Sequence, residues 1–188
     1  MGSPTDISGS IWAPTAENVA LVRATLAANV RRERDRRNTT QEALAKASGV
    51  GRDTVASAER ARHEPRLETL FLFALALPSS LVEMLRGLPG REPDPHELSA
   101  AAWEPLIEPL SIGAIVARNI RDERLRSGMT QKVLGCAAGV ARGTVAALEA
   151  GEREPKVITL IPVAVALDVP LIFFLRGYAG PIVNGRDG

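Results

Sequence analysis

The chain has 188 residues, of which 45% are apolar, and its formal net charge is +1. This length allows one domain or two small ones, and the apolar fraction is that of an ordinary globular protein. One cysteine and two histidines exclude a disulfide framework and a Cys-rich zinc site, so we expect no metal and no cofactor. No basic segment followed by an apolar run opens the sequence, and we therefore expect a cytoplasmic protein.

The first helix is predicted to follow a short N-terminal arm. Residues 1–14 are rich in Ser, Pro and Gly, and we expect this arm to be flexible. Thr15 can cap a helix over residues 16–37, in which Val and Leu recur at helical spacing. The charged run over residues 31–37 closes that helix, and basic side chains in a last turn suit the helix dipole.

Two short helices joined by a tight turn are predicted next. Thr40 opens the first of them, and we expect Leu44 and Ala47 to face inward. Gly49 suits the turn, and the second short helix follows over residues 52–60. This arrangement is a helix-turn-helix, in which the second helix stands out from the core. The remaining helices of this module are predicted over residues 67–77 and between Pro78 and Gly87, with Ser79 or Ser80 as the cap of the last.

Residues 88–110 form a proline-rich connector with one basic and five acidic residues. The Asp-Pro-His-Glu sequence that begins at Asp94 fits the N-cap, N1 and N3 positions of a short helix. A Trp-x-Pro triplet precedes the first helix of each half of the chain, at Trp12 and Trp103. We expect both indole rings to pack on the module that follows.

The second half of the chain repeats the first at an offset of 90 residues. Residues 24–87 align with 114–177 without a gap, and 29 of the 64 aligned positions are identical. A repeat of this length indicates two copies of one small domain rather than the unit of a solenoid. We therefore predict two tandem all-α, five-helix domains at residues 15–87 and 111–177, followed by a disordered tail at 178–188.

The most apolar part of the chain is the stretch 157–175, with one charged residue in nineteen. A hydropathy window would suggest a membrane span. The aligned stretch of the first module reads as helix, turn and helix, so we predict two short helices and no membrane contact. Such an apolar pair requires a cover, which is either the other module or a second chain. A homodimer through the second domain therefore stays open.

Local charge is more informative than the net charge. Residues 21–87 carry 12 basic and 8 acidic side chains, and residues 111–177 carry 9 and 6. Both modules are thus basic while the connector is acidic. Attraction to nucleic-acid phosphates depends on this local balance.

The stretches 40–65 and 130–155 resemble the lambda-repressor-like helix-turn-helix proteins of the Xre/Cro family. The shared motifs are Thr-Gln at the start of helix 2, Gly-Val in the turn, Arg-x-Thr-Val on helix 3, then Glu, and a Glu-Pro pair before helix 4. The resemblance covers about two thirds of the chain. It implies a sequence-specific, double-stranded-DNA-binding transcriptional regulator, which we expect to be a repressor without a small-molecule ligand.

The resemblance also implies roles for individual residues. Helix 3 enters the major groove, where an arginine can form two hydrogen bonds with guanine. The implied base-contacting residues are Arg52, Asp53, Ser57, Arg142, Gly143 and Ala147. The implied phosphate-contacting residues are Gln41, Thr54, Arg62, Arg66, Gln131, Thr144, Arg153 and Lys156. The implied structural ion pairs join Arg34 to Glu59 and Arg124 to Glu149.

Some residues depart from the family pattern. Gly51 and Ala141 stand where a serine usually caps helix 3, and Ala61 replaces the glycine that ends it. Pro162 falls inside helix 4 of the second module, where it should kink the helix. These departures support an alternative, an antitoxin-like or scaffold protein in which one module binds DNA and the other pairs with a protein. We find no nucleophile with a base and no metal ligands, and do not expect an enzyme.

Overall fold

The computed structural model of the chain describes residues 12, 13, 15–98, 111–151 and 154–177. These residues form nine α-helices, two 3₁₀ helices and no strand, which confirms the predicted all-α fold. Most of the expected arm, Trp103, Arg153 and the tail at 178–188 lie outside the described residues.

The first module contains five α-helices, and three of them, α1, α2 and α5, have a side-chain cap at a predicted place. The Thr15 hydroxyl accepts a hydrogen bond from the Asn18 N–H at 3.2 Å, and Thr40 accepts one from the Ala43 N–H at 3.1 Å. Ser80 caps the fifth helix in the same way. The helices are α1 (Ala16–Arg36), α2 (Gln41–Ser48), α3 (Arg52–Glu59), α4 (Leu67–Ala76) and α5 (Leu81–Leu85).

The described part of the connector contains a 3₁₀ helix, η1 (Pro95–Leu98). The Glu97 carboxylate accepts the Asp94 N–H at 2.8 Å, which is the contact expected of an acidic residue at N3. Glu97 also accepts two hydrogen bonds from Arg91, at 2.8 and 3.0 Å. At the start of the chain, the half-buried Trp12 packs against the core as predicted.

The second module follows the same order but ends in a 3₁₀ helix instead of an α-helix. Pro170 occupies the place of Ser80 and offers no side chain to bond the first amides of this element. Pro162 is buried inside the fourth helix, which continues past it although proline cannot donate to the Ile158 carbonyl. The elements are α6 (Ile112–Arg126), α7 (Gln131–Ala137), α8 (Arg142–Ala150), α9 (Val157–Ala166) and η2 (Leu171–Leu175).

The inward face of the second helix in each module differs from the prediction. Leu44 is fully buried as expected, but Ala47 and its counterpart Ala137 are exposed. The buried positions are instead Ala45 and Ser48, which lie about 100° and 40° to one side of Leu44 around the helix, whereas Ala47 lies about 60° to the other side. In the second module the counterparts are Gly135 in α7 and Ala138, the residue that follows this helix. A Cβ on Gly135 would lie 2.9 Å from the Val140 carbonyl oxygen, so the turn packs directly on this helix.

A conserved pair of contacts within the repeat joins the first and last helices of each module. The buried Asn29 side chain donates hydrogen bonds to the Met84 and Arg86 carbonyls at 3.0 and 2.8 Å. Asn119 makes the equivalent bonds to the carbonyls of Phe174 and Arg176 at the same two distances. One amide thus holds the end of the fifth element against the first helix in each module.

The two modules share one continuous hydrophobic core. Leu85 of the first module, Leu88 just after it, and Leu171 and Ile172 of the second module line one crevice, and all four are buried. The apolar end of the second module is therefore covered within the chain. No single helix in the described ranges is both long and apolar enough to cross a membrane, and one bent helix pair meets that test only when its two helices are combined.

Candidate nucleic-acid interface

Each module presents two short helices joined by a tight turn. α2 ends at Gly49, whose φ of 71° lies in the left-handed region that favours glycine. Gly139 has a φ of 65° at the same place in the second module. α7 and α8 meet at a bend of 115°, which is within the range of a helix-turn-helix.

α3 is anchored on one side and open on the other. Val55 is fully buried and Glu59 nearly so. Arg52, Asp53 and Thr54, at the start of the helix, are exposed. The N-cap residue is a glycine without a side chain to bond the first amides, so no side-chain cap covers the positive end of the helix dipole.

α8 presents the same face with smaller side chains. Val145 is fully buried and Thr144 half-buried, whereas Arg142, Gly143 and Ala147 are exposed. A Cβ added to Gly143 would meet no atom within 4 Å, so packing within the chain does not require glycine there. Glycine inside a helix costs roughly 1 kcal/mol relative to alanine. Its presence on this exposed face is consistent with a close approach of another molecule.

Ser57 is less accessible than the other residues expected to contact bases. Its side chain is half-buried, and its Oγ is closed to solvent and has no hydrogen-bond partner among the described residues. It lines a cavity of about 540 Å³ between α3 and α4. Arg60, Arg62 and Arg66 line the same cavity and outnumber its two acidic residues, Asp53 and Glu64.

Arg34, Gln41 and Glu59 form a network that ties together the first three helices. Arg34 donates to both carboxylate oxygens of Glu59, from Nε at 2.5 Å and from Nη2 at 3.1 Å. Gln41 Nε2 donates to Glu59 Oε2 at 2.7 Å. Arg34 also reaches the Thr39 carbonyl at 2.8 Å, just before α2 begins. The network therefore positions the start of α2 relative to the end of α3.

The second module repeats this network. Arg124 donates to Glu149 at 2.5 and 3.0 Å, and Gln131 Nε2 donates to Glu149 Oε2 at 3.0 Å. Both glutamines were expected to reach phosphate, and in the structure each places its side-chain amide on the buried glutamate. A phosphate at the start of α2 or α7 would therefore meet the backbone amides of the helix first.

Burial and hydrogen bonding act in opposite directions on the two buried glutamates. Burial raises the pKa of Glu59, but hydrogen bonds from Arg34 and Gln41 lower it further, so the pKa lies below its ordinary value. The same balance, with Arg124 and Gln131 as donors, lowers the pKa of Glu149. Both carboxylates are thus ionised at neutral pH and hold their arginines in place.

Basic side chains follow α3 and α8 in the sequence. Arg62, Arg66 and Lys156 are exposed, and so is Thr54 at the start of α3. Arg66 lies 3.9 Å from Glu154, too far and too exposed for a strong ion pair. These cations are exposed to an anionic partner in solution. Within the described residues, no group of three or more His, Cys, Asp or Glu side chains could hold a metal ion.

Sequence reasoning missed two sets of contacts. Asn29 and Asn119 are identical in the repeat, and an asparagine at the same place in the first helix of both modules could have indicated a hydrogen bond to the backbone. Glu64 and Glu154 were recognised only as part of a motif. In the structure each accepts a backbone N–H from the other module. The sequence carried no signal for this pairing, because it depends on how the modules pack.

Comparison with known protein families agrees with this geometry. The family model for the helix-turn-helix (HTH_3) matches the chain twice, at residues 30–84 and 120–174. Together the matches cover more than half of the sequence. The chain belongs to the helix-turn-helix family. Its two helix-turn-helix domains each contain the turn, the buried valine and the exposed N-terminal arginine described above.

A solved structure is also similar, over part of the chain. It is the crystal structure of an HTH_3 family transcriptional regulator from Vibrio cholerae, with 23% sequence identity and a TM-score of 0.35. The alignment covers 44% of this chain and 43% of that chain, so the helix-turn-helix protein described here spans less than half the length of that relative. No curated protein matches the sequence significantly.

Proposed function

We propose that this helix-turn-helix protein is a sequence-specific regulator of transcription that reads two half-sites of double-stranded DNA with α3 and α8. The observation that carries the proposal is the presence of two equivalent units in one chain, each with an exposed arginine at the uncapped start of its third helix. An α-helix fits the major groove of B-DNA, and its N-terminal residues meet the base edges. The proposed domains are residues 15–87 and 111–177.

The N-terminal halves of α3 and α8, here called the two reading heads, share one exposed residue and differ at others. Arg52 and Arg142 would each contact a guanine through its O6 and N7 atoms. Beside them, the first module has Asp53, which can accept from cytosine, whereas the second has Gly143. The exposed Ala147 can touch a thymine methyl, and its counterpart Ser57 would need to expose its buried Oγ first. The half-sites would therefore share a guanine and differ around it.

Phosphate contacts would fix the register of each head on the duplex without reading sequence. The N-termini of α2 and α7 suit a phosphate, close to Gln41 and Gln131. Hydroxyl donors would come from Thr54 and Thr144. The proposed basic contacts are Arg62, Arg66, Arg153 and Lys156.

Packing of the two modules within one chain would replace the homodimer that single-domain proteins of this kind need for two half-sites. The covalent link raises the effective concentration of the second head once the first has bound. One chain would then occupy one operator, and its presence there would repress transcription. The two half-sites need not form a palindrome, because the two heads differ.

One observation favours the alternative that the second module pairs with another protein. Leu125 and Val133 are exposed large apolar side chains, 57% and 51% accessible, where the first module has Asp35 and Ala43. Exposed apolar surface can mark a protein-binding site. In this alternative only the first module would read DNA, as in an antitoxin-like or scaffold protein.

Selection of bound duplexes from a random library separates the two proposals. The wild-type chain should select a bipartite motif, and Arg52→Ala and Arg142→Ala should each lose one half of it. Arg86→Ala, which removes an exposed arginine outside the helix-turn-helix, is the control and should select the wild-type motif. A single short motif that responds only to Arg52→Ala would contradict two-headed reading and support the pairing role.

A further inference from the structure

Two hydrogen bonds cross between the modules, and the 90-residue offset relates one to the other. Glu64 Oε1 accepts the Ile158 N–H at 2.8 Å, and Glu154 Oε1 accepts the Glu68 N–H at 2.7 Å. Replacing each partner by its counterpart 90 residues away converts the first bond into the second. A two-fold axis between identical subunits produces this kind of exchange. Here it relates the two halves of one chain.

Each of these bonds completes a helix that its own module leaves uncapped. Glu68 is the second residue of α4 and Ile158 is the second residue of α9. Their N-cap residues, Arg66 and Lys156, make no side-chain hydrogen bond to the first amides. A carboxylate at a helix N-terminus satisfies such an amide and is favoured by the helix dipole. Each module therefore supplies the cap that the other lacks.

The two carboxylates lie in a confined place between the modules. Both are partly buried, and burial raises the pKa of Glu64 even though the Ile158 N–H opposes the rise. Among the described residues, a cleft of about 420 Å³ is lined by the two matching tripeptides that begin at Glu64 and Glu154. The apolar crevice between α5 and η2 is a separate contact. Two separate contacts oppose rotation of one module against the other, which a covalent connection alone does not.

The same glutamates stand close in sequence to the reading heads. Glu64 comes five residues after the end of α3, and Glu154 comes four residues after the end of α8. We infer that Glu64 and Glu154 are positioning residues that fix the separation and rotation of α3 and α8, and thereby set the half-site spacing that the chain accepts. This inference rests on the proposed DNA-reading function, since neither glutamate is expected to touch DNA.

The test measures binding to duplexes that carry both selected half-sites at a series of spacings. Displacing one half-site by two base pairs turns it by roughly 70° about the duplex axis, at about 10.5 base pairs per turn. For the wild type, we expect the best and the displaced spacing to differ by roughly 100-fold in affinity, because avidity is lost when both heads cannot bind together. For the Glu64→Ala/Glu154→Ala variant we expect this ratio to fall below about tenfold.

Three controls keep positioning distinct from a general effect on folding or charge. Binding to a duplex with one half-site should be unchanged in the double variant. Glu68→Gln removes an exposed carboxylate in the same first turn of α4 and should keep the wild-type spacing ratio. Glu64→Gln/Glu154→Gln keeps an oxygen that can accept each N–H, and it should restore most of the spacing preference. If the double alanine variant does not fold, the two single alanine variants, each lacking one bond, replace it.

An unchanged spacing ratio in the folded alanine variants would overturn the inference. So would a relaxed ratio that glutamine fails to restore and that Glu68→Gln reproduces, because charge alone would then explain it. Failure of the proposed function has a different signature, since the wild-type chain would then show no preference for any half-site.

Discussion

The first module ends its third helix at Glu59 and holds Ala61 at a φ of 55°, whereas the second continues α8 to Ala150 and ends it with Gly151 at a φ of 65°. The backbone thus turns into the left-handed region at the same place in both modules, although only one of them has the residue that suits it. The repeat allows the same backbone position to be compared in two modules with different side chains. It separates the conformation that the fold imposes from the side chain that occupies it.

The recognition helices show the opposite relation. Val55 and Val145 are identical and fully buried, because the core fixes them. Asp53 and Gly143 differ, and both are exposed. Packing within the chain therefore does not constrain the residue at 53 or 143. A difference at this position points to a difference in what each module binds. The following predictions test which shared features the fold requires.

The largest expected effect comes from the buried glutamate that both modules retain. Glu59→Ala should lower the free energy of unfolding by about 3–5 kcal/mol, because Arg34 loses its buried partner and Gln41 loses its acceptor. Glu149→Ala should cost a similar amount, since its hydrogen bonds match. Denaturant unfolding measures both, with the exposed Glu42→Ala as control. If Glu59→Ala melts like the wild type while DNA affinity falls, the network serves binding rather than folding.

Acid should weaken both modules through the same two carboxylates. Burial raises and hydrogen bonds lower their pKa, and the net pKa of Glu59 and Glu149 is below the ordinary value. A depressed folded-state pKa adds stability above the unfolded-state pKa of about 4.3, and this stability is lost as the pH falls through the folded-state pKa. Melting temperatures measured below about pH 4.3 should therefore fall in the wild type.

The double variant Glu59→Gln/Glu149→Gln is the control for this pH dependence, because it removes both titrating groups. It should show a shallower decline with acid. Glu64 acts with the opposite sign, since a raised pKa adds stability at low pH and loses it as the pH rises. An equally steep decline in the double variant would assign acid sensitivity to other carboxylates.

A reciprocal exchange at the helix ends tests the difference between the modules directly. Gly151→Ala should lower the free energy of unfolding by about 2 kcal/mol, because alanine at this φ is strained. Its Cβ would also lie 3.1 Å from Ala117 Cβ and 3.3 Å from Ala114 Cα. Ala61→Gly should raise stability by about 0.5–1 kcal/mol, since relief of strain exceeds the entropy gained by the unfolded chain. Equal and small changes at both sites would mean that the backbone adapts to either residue.

Much of this fold could be predicted from sequence because its signals are local or repeated. Thr15, Thr40 and Ser80 cap the helices that their positions indicated, and the 90-residue repeat identified two copies of one domain. The inward face of α2 was assigned wrongly, since a spacing of three from Leu44 pointed to Ala47 while the buried residues are Ala45 and Ser48. Short helices have too few apolar residues to fix their rotation.

The site was less predictable where it depends on packing between distant residues. The exposure of Arg52 and Arg142 follows from their place at the start of a helix. The hydrogen bond from Gln41 to Glu59, 18 residues away, can be found only from the folded structure. The same holds for the bond between Glu64 and Ile158, 94 residues away. Similarity between the modules shows which residues correspond, but it does not show which residues meet.

The smallest expected effect concerns the caps of the recognition helices. Gly51 and Ala141 have nearly the same extended backbone, with φ of −67° and −65° and ψ of 146° in both, and neither makes a side-chain cap bond. Ala141→Ser should stabilise the protein by about 0.5–1 kcal/mol, whereas Gly51→Ser should add only a few tenths, because glycine is already a tolerable N-cap. Calorimetry measures both, and a loss of stability in Ala141→Ser would show that α8 begins elsewhere. If stability rises while DNA affinity falls, the small residue at 141 serves close approach to the duplex, and the second module reads DNA.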